Sequence, residues 1–295
     1  MSMQVTPHSL YARGCFSETG HLSKVLMCRP TYFEITKPIN YVQELYADHR
    51  RPRPRAEVMV QQHQGLIDAL EREGVQVELL PPKRGLPYQH ATRDVGVVIG
   101  NTVIFSPLKE EARRAETAIV EHALQQYKGL EIERCRGIVE GGDVFIDGNQ
   151  QQLWVGLGAR TNRQGFEYLC ERFGRDYEVM ALRFEAHYTH LDTVFAILGL
   201  GHAIVYEPAF DRASLDAIRA AYPTILSLDE EQQENAGANV LSVSAERVIS
   251  IERNASVNHQ LRELGYTVIP IAFSEVTKSG GSVRCDTLPI ERATI

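Results

Sequence analysis

A histidine and an aspartate, His190 and Asp192, stand two positions apart at the start of the apolar run HLDTVFAILG. Alternate side chains of an extended strand share a face, so both groups are predicted to point into the same space. A histidine moves protons near neutral pH, and a carboxylate orients and charges such a partner. The pair alone is a weak indication, because both residue types also cap loops, so its meaning depends on its neighbours in the fold.

Polar motifs of comparable kind precede three other strand-like runs, and they supply three further carboxylates and a thiol. These motifs are TRD at 92–94, EGGD at 140–143 and GGSVRC at 280–285. A cysteine with a histidine suits nucleophilic attack with proton transfer. Carboxylates around a thiol raise its pKa, so they make chemical sense only if the substrate is cationic. A planar guanidinium fits, because its N–H donors match carboxylates and its charge favours the thiolate.

The motifs occupy equivalent positions in a repeat of about 45–50 residues. Each copy reads as strand, tight turn, strand, amphipathic helix and strand, and its hairpin turns contain Gly, Asn-Gly or Asp-Gly type residues. The predicted hairpins are 95–107, 143–158, 193–208 and 238–253; the helices are 109–128, 161–174, 210–221 and 254–264; the final strands are 130–135, 177–184, 224–229 and 266–273.

The two ends of the chain form one further copy, with 282–292 pairing with 23–30, a helix at 56–73 and a strand at 75–82. Five copies around an axis close the ring without an exposed sheet edge at the seam. The sequence therefore predicts an α+β fold, a five-bladed α/β propeller formed by one domain, 1–295. A layered parallel α/β domain is disfavoured, because parallel neighbours need crossovers and the sequence shows hairpins.

Composition excludes several function classes. The 295 residues carry a formal charge of −7, which disfavours nucleic acid and anionic membranes as partners. The basic run HRRPRPR at 49–55 is interpreted as a proline-stiffened surface loop, with a nuclear signal or RNA patch as the alternative. No stretch is apolar enough to span a bilayer, and the first residues lack a signal-peptide segment. Five scattered cysteines suit reduced thiols in a cytoplasmic enzyme.

The four motifs, taken in this order, make the sequence similar to the guanidine-modifying superfamily of arginine deiminases, dimethylarginine dimethylaminohydrolases and amidinotransferases. The likeness extends from KVLMCRPTYFE to GGSVRCDTLPI. The resemblance implies a five-bladed α/β propeller (the pentein fold) and a covalent amidino-thioether intermediate. It implies a small cationic guanidino substrate and no cofactor or metal, and it is compatible with a homo-oligomer.

The resemblance also implies roles for individual residues. Cys285 is the expected nucleophile, and His190 the expected acid for the leaving amine and then the base for water. Glu140 is expected to contact the guanidinium and orient the histidine. The residues implied in substrate binding are Asp94 and Asp192 for the guanidinium, Arg113 and Arg160 for a carboxylate, and Asn40 near the site.

Two features separate the sequence from individual branches of the superfamily. Arg93 and Asp192 resemble the arginine deiminases, whereas dimethylarginine hydrolases usually lack the second carboxylate and have an acid where Tyr88 stands. The compact length resembles the arginine dihydrolase catalytic domain. The sequence thus predicts a hydrolase of arginine or a related guanidino acid that releases ammonia or an amine. An amidinotransferase and a dimethylarginine dimethylaminohydrolase are the alternatives.

Two hypotheses from other classes compete with this one. A catalytically empty binding propeller is disfavoured by the complete set of thiol, histidine and carboxylates. A metal site of His187, His190 and Asp192 is conceivable from spacing. An extended strand through this region would place the two histidines on opposite faces, which disfavours the metal hypothesis.

Overall fold

Five three-stranded sheets form the framework of the computed structural model, which describes residues 14–47 and 51–293. The strands are β1 (Leu22–Cys28), β2 (Gln76–Leu80), β3 (Val97–Ile99), β4 (Thr102–Phe105), β5 (Glu131–Arg134), β6 (Val144–Asp147), β7 (Gln152–Leu157), β8 (Glu178–Arg183), β9 (Phe195–Leu198), β10 (His202–Val205), β11 (Thr224–Ser227), β12 (Leu241–Ser244), β13 (Arg247–Ile251), β14 (Thr267–Ile271) and β15 (Leu288–Arg292). The helices are α1 (Tyr41–Ala47), α2 (Ala56–Arg72), α3 (Arg114–Leu124), α4 (Arg163–Phe173), α5 (Arg212–Ala221), α6 (Glu230–Glu234) and α7 (Ala255–Glu263).

Four sheets repeat one pattern of pairing. In each, an antiparallel hairpin is followed, after a helix, by a third strand parallel to the second. The fifth sheet has the order β15-β1-β2, with β15 antiparallel and β2 parallel to β1. The predicted hairpins, and the prediction that the two ends of the chain share one unit, are confirmed.

Local sequence explains where several elements begin and turn. Gly100 connects β3 to β4 with a φ of 57°, which residues with a Cβ rarely adopt. The side chains of Asn162 and Asp211 accept backbone N–H groups of the first turns of α4 and α5. These caps set the start of both helices two residues later than predicted. The short helices α1 and α6 were not predicted, because neither is long enough to show an apolar stripe.

Three hydrophobic clusters lie between the sheets and the helices. Neighbouring sheets also touch directly, since β15 contacts β3, β6 contacts β9, and β1 contacts β12. Among the described residues, no helix is both long and apolar enough to cross a membrane. All five cysteines lie in the described ranges, and each has a free thiol.

The basic run is only partly described. Residues 51–55 form neither helix nor strand and are mostly exposed, in agreement with a surface loop. His49 and Arg50 lie outside the described residues.

One buried arginine joins the N-terminal segment to the centre of the molecule. Arg284 donates hydrogen bonds to Glu18 at 3.0 Å, to Asp192 at 2.9 Å and to the Val144 carbonyl at 2.9 Å. Its guanidinium carbon lies 3.8 Å from the centre of the Phe145 ring. Because the side chain is fully buried, removing it leaves two carboxylates without their counterion.

We therefore expect Arg284→Met to lower the free energy of unfolding by about 3–5 kcal/mol, the usual cost of breaking a buried ion pair by removing one partner. Urea denaturation measures the change. The matched control is Arg219→Met, because Arg219 pairs with Glu207 at the surface, where such pairs contribute about 1 kcal/mol or less. Equal losses in the two variants would contradict the structural role of Arg284.

Candidate active site

Three short 3₁₀ turns pack against one another, and each precedes the first strand of a hairpin. They are Thr92–Val95, Gly141–Asp143 and Leu191–Thr193. A Cβ on Gly141 would lie 2.2 Å from the carbonyl oxygen of Arg93, and a Cβ on Gly142 would lie 2.8 Å from Cγ of His190. The two glycines of EGGD therefore allow the turns to approach closely enough to form one site.

The predicted strand through the HLD motif is wrong, because Leu191–Thr193 is a 3₁₀ turn and β9 begins only at Phe195. His190 and Asp192 still face the same centre, but through separate contacts. The imidazole is bonded to Glu140, and the carboxylate lies beside Cys285. The two side chains do lie near one centre, as predicted, but the alternation of side chains along a strand is not what brings them there.

The site surrounds a small cavity of about 30 Å³. Six of the eight predicted site residues line it, namely Asn40, Asp94, Arg113, Arg160, His190 and Cys285. The other two, Glu140 and Asp192, lie immediately behind it, since they contact the imidazole and the thiol. A second cavity continues outwards and shares Ile39, Asn40, Arg160 and Thr189 with the first.

The histidine at the cavity is surrounded by carboxylates. Nε2 of His190 lies 2.7 Å from Oε2 of Glu140, and Nδ1 lies 3.7 Å from Oδ1 of Asp94. Burial lowers the pKa of His190, but the carboxylates of Asp94, Glu140 and Asp143 outweigh it and raise the pKa to about 9. At neutral pH the ring is an imidazolium, which has a proton to give to a leaving group.

The residue before this histidine has an unusual backbone conformation. Thr189 has φ 61° and ψ −70°, and the N–H of His190 donates to the Tyr188 carbonyl at 2.6 Å. This is a γ-turn of the rare kind with positive φ, which is strained for a β-branched residue. The Thr193 hydroxyl also donates to the Tyr188 carbonyl, at 2.6 Å. The turn thus fixes the point from which the imidazole enters the cavity.

The thiol of Cys285 lies between an amide and a carboxylate. Nδ2 of Asn239 donates to Sγ at 3.1 Å, and Sγ lies 3.6 Å from Oδ2 of Asp192. Burial, followed by the negative charges of Asp192 and Asp94, raises the pKa of the thiol well above its ordinary value. Cys285, the predicted nucleophile, is therefore a neutral thiol at neutral pH.

Asn239 is a site residue that sequence reasoning missed. It precedes β12 in the fourth repeat, the position that the polar motifs occupy in the other repeats. Its Oδ1 also accepts the backbone N–H of Arg284 at 3.0 Å. Its position in the repeat was the one feature of the sequence that could have identified it. The residue was overlooked because a single amide among apolar residues does not form a charged motif.

Two carboxylates facing the centre are only half satisfied. Oδ2 of Asp94 accepts from Arg113 at 2.5 Å, and Oδ2 of Asp192 accepts from Arg284 at 2.9 Å. In both, Oδ1 is buried and has no hydrogen-bond partner among the described residues. Burial raises the pKa of Asp94, but His190 and Arg113 outweigh it and hold the pKa below its ordinary value. Both carboxylates can therefore accept N–H donors from a cation.

The two predicted carboxylate-binding arginines differ in how free they are. Arg113 donates to Asp94, to Glu116 at 2.9 Å and to the Ala91 carbonyl at 2.9 Å. These bonds neutralise Asp94 and leave Arg113 little capacity for another acceptor. Arg160 is also buried, but its Nη1 lies 3.6 Å from Glu140 and its Nη2 bonds a single carbonyl, that of Ile39.

Asn40 lies where the inner and outer cavities meet. Its Oδ1 accepts the backbone N–H of Gln43 at 2.9 Å, which caps the start of α1. Its Nδ2 donates to the Ser279 carbonyl at 3.0 Å. The side chain therefore joins α1 to the segment that leads to Cys285.

The structure places the histidines of the metal hypothesis apart. Residues 186–188 form a 3₁₀ turn instead of a strand, and His187 stacks on Tyr41 with ring centres 4.1 Å apart. A different group, Asp94, Glu140 and His190, offers ligand atoms within 4.8 Å of one another. Because the pKa of His190 is raised to about 9, a metal at this group would have to displace a proton from the ring at neutral pH.

Comparison with known proteins identifies the family. Residues 29–292 match the family model described as N,N dimethylarginine dimethylhydrolase, eukaryotic. The chain belongs to this family. It is thereby a member of the guanidine-modifying superfamily and a hydrolase that acts on the C–N bonds of amidines.

Two relatives of this family member illustrate the range of the similarity. The uncharacterised protein YkgA of Bacillus subtilis (strain 168) is 34% identical over 287 residues, which cover 97% of this chain and 98% of that protein. The bifunctional arginine dihydrolase/ornithine cyclodeaminase AgrE of Nostoc is 29% identical over 90% of this chain, which spans only 38% of that longer protein.

A solved structure shares the fold. The N-terminal domain of ArgZ, a cyanobacterial arginine dihydrolase, superimposes with a TM-score of 0.82 at 26% identity, over 90% of this chain and 97% of that domain. The same domain has also been solved covalently bonded to a reaction intermediate.

The raised pKa of His190 predicts the pH dependence of the enzyme. If the protonated ring is the acid, as predicted from the sequence, kcat/KM for the best guanidino substrate should fall as the pH rises through about 9. Glu140→Gln removes a negative charge that raises this pKa, so the alkaline limb should move to lower pH. The profile of kcat/KM against pH measures it, and the ¹⁵N chemical shifts of His190 report the same titration without turnover. Glu178→Gln, at the surface, is the control. An alkaline limb at the same pH in Glu140→Gln and wild type would contradict the assignment.

Proposed function

We propose that the protein hydrolyses the guanidinium group of arginine or of a related guanidino acid through a covalent amidino-thioether on Cys285. One observation carries this: a neutral thiol, an imidazolium and two half-satisfied carboxylates surround the same buried cavity. A guanidinium supplies the N–H donors that the free oxygens of Asp94 and Asp192 require.

Binding and activation of the thiol are coupled in this proposal. The cation compensates the charges of Asp94 and Asp192 that raise the pKa of Cys285. The thiol can then lose its proton to solvent, since the His190 ring is already protonated, and the thiolate attacks the central guanidinium carbon. The substrate therefore completes the charge balance that generates the nucleophile.

The remaining steps use the histidine twice. His190 gives its proton to the departing nitrogen, so ammonia or an amine leaves and an amidino-thioether remains. The neutral imidazole then takes a proton from water, whose oxygen attacks the same carbon. The proton taken from water returns the ring to its starting state. Collapse of the adduct then passes the remaining hydroxyl proton to the departing sulfur and releases the ureido product, which restores the neutral thiol. Glu140, at 2.7 Å from Nε2, orients the ring through both steps.

The carboxylate end of the substrate is assigned to the mouth of the cavity. Arg160 is buried there, and among the described residues it donates one hydrogen bond, to the Ile39 carbonyl, and forms longer ion pairs with Glu110 at 3.8 Å and Glu140 at 3.6 Å. Asn40 lies at the junction with the outer cavity. Arg113 remains a prediction as a second carboxylate ligand, but its bonds favour the role of holding Asp94.

The five sheets are proposed to close into a propeller made by one domain. The contacts of β15 with β3 and of β1 with β12 place the terminal unit next to both the second and the last sheet in sequence. Closure would place all the turns that carry the polar motifs around one axis, which explains why residues distant in sequence share one cavity.

A second candidate is hydrolysis of dimethylarginine, which the match of residues 29–292 to the family model favours. The carboxylate of Asp192 stands against it, because it lies 3.6 Å from the nucleophilic sulfur and leaves little space for N-methyl groups. A substrate panel that includes arginine, methylated arginines, agmatine and shorter guanidino acids distinguishes the two.

Transfer of the amidino group instead of hydrolysis would appear as a new guanidino product when glycine is added.

Cys285→Ser should abolish turnover, because a hydroxyl surrounded by carboxylates is a far poorer nucleophile than a thiol. Intact-protein mass spectrometry of acid-quenched wild type should show an adduct with the mass of the substrate minus the ammonia or amine that has left, and the variant should lack it. The half-buried Cys170 offers a matched control, since Cys170→Ser should retain both activity and adduct. Turnover in Cys285→Ser at the wild-type rate would rule out the covalent mechanism.

Arginine should exceed agmatine in kcat/KM by about 10–150-fold, since a charge-assisted pair contributes about 1.5–3 kcal/mol. Arg160→Gln should remove most of this preference by slowing arginine, while agmatine, which has no carboxylate, is little affected. Steady-state kinetics of both substrates with both proteins measures it. If Arg160→Gln slowed the two substrates equally, the carboxylate would not bind at Arg160.

A further inference from the structure

Another buried cavity, distinct from the inner and outer cavities of the active site, lies beyond Arg284, on the side away from Cys285. It is small, with a volume of about 20 Å³, and shares no lining residue with the active-site cavity. Apolar side chains form much of its wall, and the polar contributors are Cys15, Ser17, Glu18, Arg93 and Arg292. Arg284 separates the two spaces, because it bonds Asp192 on one side and Glu18 on the other.

The charges around this cavity do not balance. Three buried arginines, Arg93, Arg284 and Arg292, stand against two buried carboxylates, Glu18 and Asp192. Arg284 takes both carboxylates as hydrogen-bond partners, and neither Arg93 nor Arg292 forms a salt bridge within residues 14–47 and 51–293. One positive charge is therefore left without a counterion, which is costly in a buried position.

The same two arginines also have hydrogen-bond donors to spare. Nε of Arg93 donates to the Arg284 carbonyl at 3.4 Å, and Nη1 of Arg292 donates to the carbonyls of Gly20 and Ser242. Nη2 of each is buried and finds no partner in the described part of the chain. Buried donors are nearly always paired in folded proteins, so two such atoms at one cavity indicate a missing acceptor.

The electrostatics agree with the geometry. Burial, and then the neighbouring Arg284, lower the pKa of Arg93 to about 9, and burial also lowers the pKa of Arg292. Both guanidinium groups are still protonated at neutral pH. Burial raises the pKa of the Cys15 thiol to about 12, so that residue supplies no negative charge.

We propose that this cavity binds a small inorganic anion between Arg93 and Arg292. The valines and leucine of its wall have no hydrogen-bonding groups for a polar organic ligand. The size of the cavity suits an anion as small as chloride or bicarbonate. Such an anion would accept from the two free Nη2 atoms and balance the third arginine. The site is independent of the proposed substrate chemistry, because no residue of the active-site cavity takes part.

Thermal unfolding tests the proposal in solution. At constant ionic strength, replacing gluconate, which is too large to enter, with chloride or bicarbonate should raise Tm by about 2–4 °C, the change expected when ligand binding contributes modestly to the stability of a chain of this size. Separate titrations with the two anions show which of them binds more tightly. The same Tm in gluconate, chloride and bicarbonate would overturn the proposal.

Arg292→Gln should lose the dependence of Tm on the anion, because it removes the charge and one free donor. The matched control is Arg247→Gln, a surface residue paired with Glu73, which should keep the dependence. An equal response of Arg292→Gln and wild type would contradict the site.

Crystals of the wild-type protein grown with bromide give a measurement that does not rely on the variant folding. An anomalous peak within hydrogen-bonding distance of Nη2 of both Arg93 and Arg292 is expected. No peak, or density for a protein group between the two arginines, would overturn the proposal. A bromide peak without any effect of the anion on Tm would mean binding at crystal concentration only, and would overturn it as well.

Discussion

Buried carboxylates paired with buried arginines organise the centre of this protein. Arg284 neutralises Asp192 and Glu18, and Arg113 neutralises Asp94 and Glu116. Each pairing uses one oxygen of the central aspartate and leaves the other buried without a hydrogen-bond partner in the described part of the chain. The arginines thus offset the free-energy cost of burying the carboxylates, while the unpaired oxygens can still attract a cation. Fold and binding site depend on the same charges.

These charges also set the protonation states of the reacting groups. The carboxylates raise the pKa of His190 to about 9 and the pKa of Cys285 well above its ordinary value. A cysteine and histidine left to themselves often form a thiolate and an imidazolium. Here the imidazolium is present but the thiol is neutral, and in the proposed mechanism a bound cation lowers the pKa of the thiol. On that proposal a neutral electrophile would meet an unreactive thiol.

The sequence predicted the repeating framework well, because strand hairpins, turn glycines and amphipathic helices are local patterns. It also brought the right motifs together, since equivalent positions in a repeat meet in space. It did not predict the 3₁₀ turns at 92–95 and 191–193, which form where the packed glycines of EGGD let the segments approach. The inward bonds of Arg113, the amide of Asn239 on the thiol and the γ-turn at Thr189 are tertiary features. No local pattern encodes them.

The central claim is that a cation controls the ionisation of Cys285, and the absorbance of the thiolate near 240 nm tests it most directly. The difference between wild type and Cys285→Ser, followed against pH with and without a saturating amidinium that does not turn over, gives the thiol pKa in both states. The account predicts a thiol titrating well above its ordinary range alone and about 3 units lower with the cation, since unit charges about 4 Å apart interact by about 4 kcal/mol at an effective dielectric constant of about 20. A thiolate already present at neutral pH without the cation, or a pKa that the cation leaves unchanged, would contradict it.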